Sequence, residues 1–143
     1  MKNNNNYVVI MAGGVGRRFW PVSRTNYPKQ FIHILATGKT LIQQTYERFK
    51  NICPKENILF VTNENYREII KDQLPDVSDD NILGEPVMRN TAPCIAYACH
   101  KISKLNSNAC IVVAPSDHLI LQEEVFKDNI RESLELDAQK DDI

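Results

Sequence analysis

Four short apolar runs, separated by stretches long enough for helices, constrain this chain more than any other feature. They are Tyr-Val-Val-Ile-Met at 7–11, Asn-Ile-Leu-Phe-Val-Thr at 57–62, Asn-Ile-Leu-Gly at 81–84 and Ala-Cys-Ile-Val-Val-Ala at 109–114. None shows a polar residue at every second position. A strand without that alternation hides both faces, the habit of parallel sheets covered by helices on each side. The intervening stretches have the matching helical signals. Thr40-Leu41-Ile42-Gln43 is a capping box, and Leu41, Thr45 and Phe49, with Ile42 and Tyr46 alongside, predict an amphipathic helix over about 40–50 that Cys53-Pro54 ends. A second helix begins near Asn63, with Tyr66, Ile69, Ile70, Gln73 and Leu74 on one face, and Pro75 stops it. A third opens with Asn90 as N-cap and runs to about Lys104; apolar almost all round, it is expected to pack on more than one side. The last carries Glu123 and Glu124 early and Phe126, Ile130 and Leu134 on one face. Strands alternating with helices predict a Rossmann-like three-layer α/β/α fold around a mainly parallel sheet with right-handed crossovers. Residues 1–6, with their Asn run, are expected to be a disordered tail, and 7–143 one folded unit.

In such sheets ligands bind beyond the carboxyl ends of the strands. Three polar segments directly follow strands here and are expected to converge on one edge: Gly13 to Gln30, Glu85 to Thr91, and Pro115-Ser116-Asp117-His118. The first is longer than an ordinary connection. Its glycines Gly13, Gly14 and Gly16 allow close backbone approach, and the cations Arg17, Arg18, Arg24 and Lys29 follow without an intervening carboxylate. Amides and cations at a strand end describe a polyphosphate site, so this loop is expected to hold a nucleoside triphosphate.

Composition narrows the classes further. Residues 1–46 hold six Lys or Arg and no Asp or Glu, whereas the rest of the chain is acidic on balance. The net charge of −1 argues against a nucleic-acid module, and a local positive field suits a small anion instead. No apolar run approaches the roughly 20 residues that span a bilayer. The first six residues lack the apolar core of a secretory signal, so a cytoplasmic protein is expected, with no membrane partner. The four cysteines, at 53, 94, 99 and 110, have no Cys-x-x-Cys spacing and apolar neighbours, which favours buried, reduced thiols. The three histidines, at 33, 100 and 118, have no ligand spacing either.

Two familiar phosphate patterns fail. Gly14-Val15-Gly16-Arg17-Arg18-Phe19 has Phe where a dinucleotide fingerprint needs its third Gly, and no acidic residue follows near 34. Gly38-Lys39-Thr40 imitates the end of a Walker A motif, but position 33 is His and Thr40 is already an N-cap. Asp117 is a turn or cap residue on one reading and, beside a phosphate loop, a Mg²⁺ ligand on the other, since magnesium is commonly held by one or two carboxylates plus substrate phosphates.

Taken in order, Gly13-Gly14-x-Gly16-x-Arg18-x-Trp20-Pro21-x-Ser23-Arg24, Pro28-Lys29-Gln30-Phe31, Glu85-Pro86-x-x-Arg89-Asn90-Thr91-Ala92-Pro93 and Pro115-Ser116-Asp117-His118 resemble the mannose-1-phosphate guanylyltransferases, a family of sugar nucleotidyltransferases. The resemblance spans about Val8 to Ile120. It implies a nucleotide-diphospho-sugar transferase type of fold, and GTP and mannose 1-phosphate as substrates. It also implies a role for each matching residue. Ala12, Gly13 and Gly14 would pass the base and ribose; Gly16, Arg18 and Lys29 would hold the phosphates. Glu85, Asn90 and Thr91 would shape the guanine pocket, and Asp117 would bind Mg²⁺. Arg18, Lys29 and Asp117 would be the catalytic set. Met88 and Phe19 depart from the family's common residues. The family's catalytic domain is longer than this chain, so the chain is expected to be the amino-terminal, nucleotide-binding part of an incomplete fold, inactive alone. Another base or sugar, a downstream isomerase module, a non-catalytic regulatory subunit and a homo-oligomer are all left open.

Overall fold

The computed structural model describes residues 4–14, 21–33, 37–85 and 90–139. Along the chain run β1 (Asn6–Met11), α1 (Leu41–Lys50), β2 (Ile58–Asn63), α2 (Arg67–Gln73), β3 (Ile82–Glu85), α3 (Thr91–Leu105), β4 (Cys110–Pro115) and α4 (Glu123–Asp137), with short 3-10 turns in the connections. All three strand pairings are parallel and the sheet order is β3-β2-β1-β4. Val8 of β1 therefore sits between Ile58 and Val112.

Side chains alternate across the strands and divide the core in two. Val8, Ile10, Ile58, Phe60 and Ile82 face one way, against Ile42, Tyr46 and Phe49 of α1, Ile70 of α2 and Leu134 of α4. Tyr7, Val9, Leu59, Val61 and Leu83 face the other way, against Cys94, Ala98 and Ile102 of α3. The arrangement is the expected Rossmann-like α/β/α sandwich, and its cause is handedness. Chain progress from β1 to β2 to β3 runs one way along the sheet, so right-handed crossovers put α1 and α2 on one face. The step from β3 to β4 reverses direction and puts α3 on the other.

The capping box forms as read: Thr40 N–H donates to Gln43 Oε1 at 2.9 Å, and Gln43 N–H reaches Thr40 Oγ1 at 3.4 Å. Phe126 and Ile130 pack with Leu134 against the core, as the α4 periodicity predicts.

Two expectations need correction. α3 does not pack all round: only Cys94, Ala98 and Ile102, spaced by four, are buried, and Ala92, Ala96 and Tyr97 are exposed. Small alanines made the helix look uniformly apolar without giving it a second partner surface among the described residues. The expected tail at 1–6 is also too long. Asn6 belongs to β1, Asn5 O accepts from Cys110 N–H at 2.8 Å, and the Asn57 amide donates to Asn4 O and Asn6 O at 2.8 and 3.0 Å. Asparagine's amide lets side chains extend the ladder. Residues 1–3 lie outside the described residues. Cys53, Cys94 and Cys110 are buried and Cys99 half-buried, all as free thiols. No helix among the described residues is long and apolar enough to cross a membrane.

Candidate nucleotide site at the reversal of strand order

Strand order reverses at β1, because chain progress leads to β2 on one side and β4 is added later on the other. Both strands run on into helices of one face, α1 and α4, which meet through Phe49 and Phe126 and through Arg48 and Glu123. The segments directly after these two strands also meet. Ser116 N–H donates to Met11 O at 3.1 Å, and Thr45 Oγ1 of α1 reaches Ser116 O at 3.4 Å. This buried serine sets Asp117 beside the loop after β1, where Lys29 Nζ lies 3.6 Å from Asp117 Oδ2.

Lys29 is placed by its own short turn. Pro28 precedes a 3-10 turn, Lys29–Phe31, closed by Phe31 N–H to Pro28 O at 3.0 Å. Phe31 is fully buried, and its ring meets Tyr66 edge-on at 5.7 Å and Tyr27 at 6.2 Å. Tyr66 hydroxyl donates to Thr25 O at 2.7 Å, and the Gln73 amide donates to Phe31 O and Tyr27 hydroxyl, both at 3.0 Å. Helix α2 thus holds the second half of the long loop.

A cavity of about 210 Å³ is lined by Met11, Gly13, Gly14, Glu85, Asn90, Thr91 and Cys94. The structure gathers five of the expected nucleotide-binding residues on this one wall. Gly13 and Gly14 hold no left-handed backbone, since Gly38 is the only positive-φ glycine among the described residues. A Cβ on Gly14 would meet nothing within 4 Å, and on Gly13 only ordinary contacts at 3.8–3.9 Å. No left-handed turn requires these two glycines; their missing side chains leave open space at the cavity.

Burial pushes the Glu85 carboxyl above the ordinary carboxylate range. Burial, then the charge of Glu85, pushes the Cys94 thiol up to about 11, so it stays protonated. Asn90 stands at the N-cap of α3, yet its side chain makes no capping hydrogen bond. Its backbone, at φ 69° and ψ −171°, lies in a region that asparagine reaches only at a cost, and such outliers cluster at ligand sites. Capping failed as a reading because the cap side chain needs an extended, negative-φ backbone to reach the first-turn amides.

Ala12 does not line the cavity. It is fully buried and its N–H donates to Val61 O at 2.8 Å, so it supports the loop from behind. Two residues given no role from sequence do the supporting. Gln30 Nε2 donates to Ala12 O at 2.9 Å and Gly14 O at 3.1 Å, and Thr62 Oγ1 donates to Ala12 O at 3.0 Å. The available signal was a polar residue inside an apolar context: Gln30 before Phe31, and Thr62 at the end of β2. Gly16 and Arg18, with Pro86, lie outside the described residues. No cluster of three or more metal-ligating side chains occurs among the described residues.

The sequence profile of the family described as nucleotidyl transferase matches residues 7–141. The chain belongs to this family. It is 42% identical over 127 residues to a mannose-1-phosphate guanylyltransferase of Salmonella montevideo, covering 87% of this chain and 26% of that protein. It is 37% identical over 139 residues to a mannose-1-phosphate guanylyltransferase of Escherichia coli K12, covering 94% and 28%. The chain thus spans about a quarter of the length of the curated relatives it matches. A crystal structure described as mannose-1-phosphate geranyltransferase from Thermus thermophilus superposes with a TM-score of 0.79 at 31% identity, over 92% of this chain and 38% of that one. A Helicobacter pylori structure described as mannose-6-phosphate isomerase shares the fold, with a TM-score of 0.69 at 22% identity over 92% and 46% of the two chains.

Glu85 gives this site a measurable pH signature. Its raised native pKa means that the folded state holds the proton more tightly than the unfolded chain. Stability is therefore favoured below the ordinary carboxylate pKa and is lost as pH rises through the raised native value. Glu85→Gln removes that loss. The melting temperature of the variant relative to the parent should climb between pH 4 and pH 7, measured by circular dichroism. A constant or shrinking difference would show that Glu85 is not desolvated.

Proposed function

We propose that this chain provides the nucleotide half of a mannose-1-phosphate guanylyltransferase, which transfers GMP from GTP to mannose 1-phosphate. A phosphate oxygen of mannose 1-phosphate attacks the α-phosphorus of GTP; the bond from that phosphorus to the bridging oxygen of the β-phosphate breaks, and pyrophosphate leaves. Two anions must approach each other, so catalysis rests on positioning and charge neutralisation. The observation that carries the reading is the Lys29–Asp117 pair at the reversal of strand order, tied through the neighbouring Gln30 to the Gly14 backbone that walls the cavity.

Each residue has a definite task on this reading. The Gly13–Gly14 backbone lies along the nucleoside, where side chains would obstruct it. Glu85 accepts hydrogen bonds from the N–H groups of guanine, and Asn90 and Thr91 close the pocket at the start of α3. Lys29 neutralises the reacting phosphates, with Arg18 and Gly16 as further phosphate binders. Asp117 is a half-exposed carboxylate beside the phosphate position, a fitting donor for Mg²⁺ together with phosphate oxygens. Magnesium when bound supplies charge neutralisation on the phosphates. Until an anion arrives, Asp117 balances the charge of Lys29.

The test is pyrophosphate release from the protein that carries this chain. Release should require GTP, mannose 1-phosphate and Mg²⁺ together. Equal turnover with UTP or dTTP and glucose 1-phosphate would overturn the assigned specificity, and no turnover with any pair would overturn the enzymatic reading.

A further inference from the structure

We infer that Gln30 is a positioning residue that locks the Gly13–Gly14 backbone in its nucleotide-receiving form. Its purpose rests on the nucleotide reading above; its geometry does not. Gln30 is 3% exposed, and its amide nitrogen spans the loop, donating to the carbonyls of Ala12 at 2.9 Å and Gly14 at 3.1 Å. Those carbonyls flank Gly13, so one side chain pins the loop on both sides of it. Thr62 Oγ1 adds a bond to Ala12 O at 3.0 Å.

The clamp also decides which way an amide points. In a trans peptide the C=O and the following N–H project in opposite directions. Ala12 O is drawn toward Gln30 and Thr62, so the N–H of Gly13 is turned away from them. Gly13 and Gly14 line the cavity, whereas Gln30 and Thr62 do not. The clamp therefore sits behind the loop and presents a Gly13 donor to the ligand side.

Two consecutive glycines have the greatest backbone freedom available, and a ligand ordering them would lose affinity to that entropy. Gln30 removes the freedom before the ligand arrives. It also sets the loop's position relative to the cation. A 3-10 turn has three residues per turn, so consecutive side chains point about 120° apart. In Lys29–Phe31 the first reaches Asp117, the second holds the glycine loop and the third enters the core. One turn thereby fixes the spacing between glycine backbone and lysine.

Gln30→Met and Gln30→Leu test this, since each keeps an apolar side chain of similar bulk and removes both donated hydrogen bonds. Backbone ¹⁵N relaxation of this chain should show Gly13 and Gly14 falling from strand-like order parameters near about 0.85 to below about 0.6, with β1 and β2 unchanged. In the protein that carries this chain, the KM for GTP should rise about tenfold, matching a loss of about 1.4 kcal/mol. The kcat should stay within about threefold, because Phe31 still anchors the turn that carries Lys29. Retained order at Gly13 and Gly14 in both variants overturns the clamp. Loosened glycines with an unchanged KM overturn its positioning role. A parent protein with no GTP-dependent turnover overturns the nucleotide reading instead, while the relaxation data still decide whether Gln30 orders the loop.

Discussion

Lys29→Ala should lower kcat/KM for pyrophosphate release by about 10²–10³-fold while leaving the fold intact. The size follows from removing one preorganised charge aimed at groups whose charge builds in the transition state. The small structural effect follows from exposure: side chains of Lys29 and Asp117 are 21% and 41% exposed, and such half-solvated pairs contribute at most about 1 kcal/mol. The melting temperature should therefore move by no more than about 4 °C. Lys29→Arg should rescue only a small part of the rate, because a planar fork does not place its charge where a compact ammonium does. Turnover within about threefold of the parent would remove Lys29 from the catalytic set. A collapse in melting temperature matching the activity loss would make its role structural.

Phe31→Ala should be the most destabilising change in the site region, lowering the melting temperature by about 10–15 °C in a circular-dichroism melt. The ring is fully buried between Tyr27 and Tyr66, and truncating such a ring costs about 3–5 kcal/mol through lost burial and the cavity left behind. Against a total stability of about 5–15 kcal/mol for a typical domain, that is a large fraction. The same change frees the turn that carries Lys29 and Gln30, so activity should fall before the chain unfolds. Phe31→Leu fills part of the space and should recover most of the stability. A melt within about 3 °C of the parent for the alanine variant would show that the ring is no anchor.

The readings that succeeded rest on short-range chemistry. Thr40 and Gln43 are three residues apart, so their reciprocal bonds could be read before any tertiary contact was known. Phe126, Ile130 and Leu134 revealed their inward face by spacing alone. Failures came where the same local pattern permits two environments. The alanines of α3 suit either an exposed or a buried face, and with no second layer among the described residues they are exposed. Asn90 is as good at a strained positive-φ position as at a cap, and only its backbone angles decide between the two. Gln30 read as one polar letter in a loop, because its partners are 16 and 18 residues away.

By itself, then, the amino-acid sequence determined the elements, their alternation and the three segments that carry polar, site-building residues. Continuous apolar runs and helix periodicity are properties of neighbours along the chain. Tertiary structure alone decided that β4 joins β1 on the side away from β2, which brings Asp117 to Lys29. It also decided that Gln30 turns inward to hold the glycine loop. Parallel strand order is set by long crossovers and their handedness, and those contacts form between residues that no local pattern pairs.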